Sequence, residues 1–373
     1  MGCFFHSARK DKFKAMRILT RIGLILACFC LLGCDGVDLK LSLPSLKMLS
    51  KSSTMTELKK KPVWQSPLLL QHNLVGRIWR PSDGRFVDQD TLVENLVRSS
   101  FILLGEKHDN KDHHLLQARL IRELTEHGRR PAVVWEMIPE AKQEVLDKFY
   151  SKNSHDSKAL GKALGWDVSG WPDWSMYQPV ADAALAEHLA MYGAALSKLA
   201  VRALARGQPS PEISKRRRSL GLHIPMSKEM KTRSLEQLFK GHCELMPLET
   251  MDPIFNVQRA RDAVFAEHML TTGVRDGSVL IAGDGHVRKD IGVPQFLRRR
   301  QPGVRMTTVG FIEVKDNSPY PIDYGRLFSG TAIPFDYVWF TPRADNQDHC
   351  AELRKKWGKP KKSKINNQTR DQE

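Results

Sequence analysis

Three apolar runs in this chain each stop at a carboxylate or an imidazole, and that pattern constrains the fold more than any other feature. Phe101–Leu104 runs into Gly105, Glu106, Lys107 and His108; Ala132–Trp135 ends at Glu136; Ser278–Ala282 leads through Gly283 to His286. Apolar runs of this length that stop at glycine or a charged residue read as buried strands. Period-2 alternation places Glu106 and His108 on one side of the first strand's end. A charged group beside a core is costly unless it is paired. Three strands ending this way therefore predict a binding crevice at the carboxyl edge of a parallel sheet.

Helical spacings lie between the runs. Asp88–Val97, Asp112–His127, Asn256–Met269 and the neighbourhood of Pro294–Arg300 each predict a helix, and Pro139 opens another at a position where proline is welcome. Further strands are expected at Gly76–Arg80, Met306–Val314 and Tyr337–Thr341. The alternation predicts an α/β fold with a mostly parallel central sheet flanked by helices. From Asp156 to Lys240 the patterns are helical. They predict a helical cap, about residues 156–245, inserted over the carboxyl edge of the strands, with a mobile loop near Gly207–His223.

The net charge of +16 over 373 residues is concentrated at the ends. Residues 1–33 hold six Lys/Arg against Asp11, and residues 354–373 hold eight against Asp371 and Glu373, so the part between keeps about +5. Basic ends without a recognisable nucleic-acid module argue against a duplex-binding face, and no nucleic-acid partner is expected. A basic stretch followed by eleven apolar residues, Ile22–Leu32, is too short to span a bilayer and has the proportions of a secretory signal. Met16 serves as start as well as Met1. The run ends in Leu31-Leu32-Gly33-Cys34, which resembles the lipobox of bacterial lipoproteins and implies cleavage before Cys34 and its acylation. The expected plan is a signal over 1–33, Cys34 and a tether to 75, a domain over 76–345, and a basic disordered tail over 346–373. The expected location is the bacterial cell envelope, lipid-anchored to a membrane and facing the periplasm. Only Cys243 and Cys350 remain in the folded part; an oxidising compartment permits a bond between them, and two free buried thiols fit as well.

No GxSxG elbow, Gly-rich phosphate loop, HExxH or CxxC motif is present. Glu106, His108, Glu136 and His286 remain as the candidate site. Two imidazoles and two carboxylates can bind a divalent metal in an open site, Mn, Co or Zn, with Glu106, His108 and His286 as ligands. They can equally act as an acid–base pair or hydrogen-bond a ligand. His113 and His114 are expected on a solvated helix surface. Trp171, Trp174, Met176 and Tyr177 suit either core packing or the wall of an apolar pocket. Arg261-Asp262 is either a plain ion pair or a device that orients a strand-end histidine. Arg216–Arg218 reads as a solvated loop.

At these residues the chain resembles the ChaN-like haem-binding lipoprotein family, part of a superfamily that includes erythromycin-esterase-like and Tiki/TraB-type proteins. The motifs are LLGEKHDNKDHH (103–114), VVWEM (133–137), GWPDWSMYQP (170–179), HCELMP (242–247), QRARDAVFAEHM (258–269) and AGDGHVRKDIGVPQFL (282–297). The resemblance implies haem taken up or held at the envelope, iron bound through a tyrosine oxygen, and two haems stacked in a homodimer. It carries over Glu106, His108, Glu136, Tyr177 and His286. No tyrosine lies between Lys198 and Arg261. A family ligand in that stretch would have no counterpart here; Tyr177, whose phenolate suits ferric iron and which adjoins the Trp pair, is the expected axial ligand, His242 its alternative, and His286 a distal partner. A metal-dependent hydrolase or peptidase is the competing function.

Overall fold

The computed structural model describes residues 61–357, except 274 and 329–331. In chain order the elements begin with a hairpin, β1 (Ile78–Arg80) and β2 (Arg85–Val87), then α1 (Gln89–Val97), β3 (Phe101–Glu106) and α2 (Lys111–Glu126). Next come β4 (Ala132–Pro139), α3 (Gln143–Ser151), α4 (Ser157–Leu164), α5 (Trp174–Ala186) and β5 (Met191–Ala195). Helices α6 (Lys198–Ala205), α7 (Pro211–Arg216), α8 (Lys228–Gly241) and α9 (Asp252–Thr272) follow. The chain continues through β6 (Ser278–Gly283), α10 (Asp284–Val287), α11 (Val293–Arg300), β7 (Met306–Glu313), β8 (Tyr337–Thr341) and α12 (His349–Trp357). No helix among the described residues is long and apolar enough to cross a membrane.

One sheet holds all eight strands in the order β2-β1-β8-β7-β3-β6-β4-β5. The hairpin joins antiparallel, and every other pairing is parallel. Alternation along the strands divides the core into two layers. Ile102, Leu104, Val133, Trp135, Val279 and Ile281 face α1, α2, α4 and α5. Phe101, Leu103, Val134, Leu280 and Ala282 face α9 and α11. Each such side chain taken fully from water contributes roughly 1.5–3 kcal/mol, which is why these runs occupy the sheet's middle.

The predicted α/β class and mostly parallel sheet are present. Several local expectations are corrected. The middle of the chain is not helical throughout: it supplies the edge strand β5. Gly193 in that strand has room for no side chain, since a Cβ would stand 2.6 Å from the Pro139 carbonyl oxygen. Pro139 ends β4 in an extended conformation, and a 3-10 turn over Glu140–Lys142 precedes α3. The stretch expected as a mobile loop is packed, with α7 inside it and Ile213, Leu220 and Leu222 buried. Arg216, expected in solvent, pairs with both Glu140 and Glu267. The tether stops short of 75: the Gln65 and Ser66 N–H groups donate to the Asp112 carboxylate at 2.8 Å each, and Leu74 is buried. The tail contains α12, whose Cys350 is bonded to Cys243 across 107 residues. The signal, Cys34 and the rest of the tether lie outside the described residues, as does the tail beyond 357.

Candidate functional site

The carboxyl ends of β3, β4, β6 and β7 open onto one crevice of about 560 Å³, within the range of small-ligand sites. Glu106, the last residue of β3, is buried on the α2 side. Its Oε1 lies 2.8 Å from His108 Nδ1 and its Oε2 lies 2.5 Å from His114 Nδ1. Burial alone would push this carboxyl up, but the two imidazoles hold it down at about 2. Glu136, from β4, points to the other face of the sheet. It accepts from the Gly283 N–H at 2.7 Å and from the Arg261 guanidinium, and faces His286 Nε2 at 3.4 Å and His108 Nε2 at 3.9 Å. Against the cost of burial, His286 and Arg261 keep it well below the usual carboxylate range. The two strand-end glutamates thus rise from opposite faces of the sheet, and His108 bridges them.

His108 is one third exposed, toward the crevice. Burial pulls its pKa down, yet Glu106 and Glu136 raise it to about 9. Gly283 makes its position possible: a Cβ there would stand 3.0 Å from His108 Nε2. His286 is held by Asp262 Oδ1 at 2.6 Å from Nδ1, and Glu136 and Asp262 raise its pKa despite burial. Arg261-Asp262 on α9 therefore orients the site, Asp262 through His286 and Arg261 through Glu136.

The structure brings together four of the predicted residues, Glu106, His108, Glu136 and His286, and sets His242 on the opposite bank. His242 caps the end of α8, its Nδ1 2.7 Å from the Leu238 carbonyl oxygen, and lines the crevice. Tyr177 is not in the crevice. Its ring is fully buried behind His108, tilted against the His114 ring at 4.1 Å, with its hydroxyl 3.4 Å from His108 Nδ1. Burial and the charges of Glu106 and Glu136 push its ionisation far up. The structure therefore does not bring Tyr177 to the crevice, and its phenol supports His108 from behind.

Of the aromatic group, Trp171 packs edge-on to His108 at 4.8 Å, while Trp174 packs on Trp166 at 4.7 Å and is core. His113 and His114, expected in solvent, are wholly buried because the first turn of α2 lies under the strand ends. His113 accepts from the Lys107 N–H and bonds Thr341 Oγ1, each at 2.9 Å, and burial drives its pKa down to about 3.

A divalent-metal centre at Glu106, His108 and His286 does not fit. Where an ion would sit between Glu136 and the imidazoles, the Arg261 guanidinium already supplies the positive charge. Among the described residues, the group of three metal-ligating side chains whose atoms all lie within 4.8 Å of one another is Asp109, Asp345 and His349.

Sequence reasoning missed Glu313 at the end of β7. It accepts from Asn110 Nδ2 at 2.8 Å and the Ala344 N–H at 2.9 Å, and lines the crevice. The signal was available, because GFIE repeats the pattern of an apolar strand closed by a carboxylate. Leu327 and Phe328, which complete the apolar side, carry no comparable signal.

Comparison with known proteins gives one family match. The model described as "Haem-binding uptake, Tiki superfamily, ChaN" matches residues 92–297. Among solved structures, one described as cofacial haem binding to ChaN of Campylobacter jejuni superposes with a TM-score of 0.55 at 21% identity, covering 70% of this chain and 95% of that one. The type III effector HopBA1 covers 69% of this chain and 93% of its own at 15% identity, with a TM-score of 0.36. No curated protein matches the chain.

Proposed function

Because the chain belongs to the haem-binding uptake family of the Tiki superfamily, ChaN, we propose that it is a lipid-anchored envelope protein that holds haem in the crevice at the carboxyl edge of its sheet. The observation that carries this reading is the family match over residues 92–297, which takes in β3, β4, α8 and β6 and most of the crevice they build.

The residues present fit the group. With its Nδ1 proton on the Leu238 carbonyl, an assignment made from that partner, His242 keeps the Nε2 lone pair for iron. An imidazole then takes the role that the resemblance gives to a tyrosine oxygen. Leu238, Phe311, Ile312, Leu327 and Phe328 offer apolar surface of the kind a porphyrin face covers. Arg261 and Lys315 bring positive charge to the same space, suited to the carboxylates that haem carries. Haem, when bound, supplies a Lewis-acidic iron in a flat apolar ring. The protein's part is to ligate it through His242, to cover its face, and to set His108 and His286 as donors within the charged floor. Haemin titration of the purified protein tests this: a saturable Soret band is expected. A protein folded by circular dichroism that shows no saturable band would remove the reading.

In the same proposal, cleavage before Cys34 and its acylation anchor the domain to a bacterial membrane on the periplasmic side, in haem uptake or storage. Labelled palmitate should enter the protein and fail to enter Cys34→Ala. The cofacial haems described for the Campylobacter jejuni protein suggest, for this chain, a homodimer formed on haem binding. Sedimentation with and without haemin decides it, since a haem-saturated monomer would contradict it.

A further inference from the structure

The segment after β8 does not leave the domain. From Pro342 to Cys350 it runs from one bank of the crevice to the other. On the strand side, the Pro342 carbonyl accepts from Asn110 Nδ2 at 3.4 Å and the Ala344 N–H donates to Glu313 at 2.9 Å. Asp345 lies 3.7 Å from Lys107 Nζ, and His349 Nε2 lies 3.4 Å from Asp109. On the α8 side, Cys350 is bonded to Cys243, with Cα atoms 5.3 Å apart. Lys107, Glu313 and His242, the residue before Cys243, all line the crevice.

The bank that carries His242 is otherwise held by half-buried and polar contacts, with Arg288 Nη1 donating to Gln237 Oε1 at 3.1 Å and Lys231 Nζ 2.9 Å from Asp252. Of its fourteen residues, α8 buries Ser234 alone. The chain then turns through Cys243 at φ +58° and Glu244 at φ +57°. Two consecutive non-glycine residues in the left-handed region persist only where the surroundings fix them. The buried side chain at this turn is Cys243 itself. In α12, its partner, residues 349–355 are exposed or half-buried. A covalent bond is therefore the firm element on this side.

We propose that Pro342–Cys350 is a strap whose disulfide to Cys243 positions His242, so that the state of this bond sets how the crevice holds haem. The inference rests on the haem reading above. Opening the strap needs a dithiol reductant. One thiolate attacks a sulfur of the pair to form a mixed disulfide, and the second thiolate displaces it. Cys243 and Cys350 take up two electrons and two protons as thiols, and the reductant leaves as a disulfide. His242 then keeps its bond to the Leu238 carbonyl but loses the anchor one residue away. Removing a group that orients a metal ligand typically weakens metal binding about 10–100-fold.

The test is haemin titration of four full-length proteins, followed by Soret position and affinity: oxidised wild type, Cys350→Ser, His242→Ala, and the double variant. Cys350→Ser should bind at least about tenfold more weakly than wild type, with a shifted band. The double variant should bind as His242→Ala does. Wild type reduced by a dithiol and desalted before titration should match Cys350→Ser, which keeps the test valid if that variant folds poorly. A Soret band unchanged in position and affinity by both reduction and Cys350→Ser would overturn the inference and leave the haem reading standing. So would an equal loss on adding Cys350→Ser to His242→Ala, because the bond would then act elsewhere. No band in any of the four proteins overturns both.

Discussion

The two sides of the crevice are built on opposite principles. The floor, made by Glu106, His108, Glu136 and His286, is a network of buried charges at the ends of core strands, each with several partners. The facing bank, the end of α8 with His242, buries little and is held by polar contacts and one covalent bond. The floor's geometry is fixed by the sheet and changes only if the sheet does. The bank can differ between relatives, or move, at small cost to the fold. Stability belongs to one side, and the proposed ligand to haem iron to the other.

Breaking the floor should be the most damaging change. Glu136→Gln leaves Arg261 and His286 without their shared carboxylate and should cost about 3–5 kcal/mol, read by urea denaturation. A loss below about 1 kcal/mol would show that the floor is solvated and resembles the bank after all. Gly283→Ala tests packing within the floor: its Cβ would stand 3.0 Å from His108 Nε2, and a cost of about 1–3 kcal/mol is expected. Moved floor residues and an unchanged His242 environment by NMR would confirm that the two sides are independent.

The pH profile sharpens the contrast further. His108 is raised in the folded protein to about 9, so its stabilising contribution is complete below 6.5 and is lost as pH rises through 9. His113 is depressed to about 3, so its contribution is complete above 6.5 and is lost as pH falls toward 3. Glu106, held at about 2 against an ordinary 4.5, adds a further loss between those values on the acid side. Thermal stability should therefore be greatest near pH 6.5, and His108→Gln should weaken the alkaline decline, which His286 shares, while leaving the acid one. An alkaline decline as large in His108→Gln as in the wild type would refute the assignment. The smallest expected effect on stability lies on the bank. His242→Ala should change it by less than about 1 kcal/mol, while altering the haem spectrum more than any floor substitution.

The same division governs what could be read from residues alone. The floor was legible because apolar runs closed by Glu or His follow from the local rules of a buried parallel strand. The strand β5 escaped because MYGAA carries a half-exposed tyrosine and a glycine, a pattern of edges and not of cores. His113 and His114 were misread because their burial depends on Thr341 and Glu106, contacts set by the fold and not by the helix they start. Tyr177 was given the iron because a tyrosine beside two tryptophans suits a pocket wall. The periodicity of α5 instead turns it inward beneath His108, and nothing in its neighbours reports which side faces a ligand. The helix α12 was hidden by its charge, since a run rich in lysine and arginine reads as solvated chain until a cysteine partner fixes it.

The order of the strands has one more consequence, for the timing of assembly. Strand β3 lies between β6 and β7, so Phe101 finds its partners at Ser278 and Met306. As the chain emerges from a ribosome, the first crevice residues appear early, yet both edges of β3 stay unpaired until about three hundred residues are available. Pairings of such long range form late and slowly. The crevice is thus among the last parts of the molecule to exist, and a partly synthesised chain has no finished cavity in which to trap a ligand.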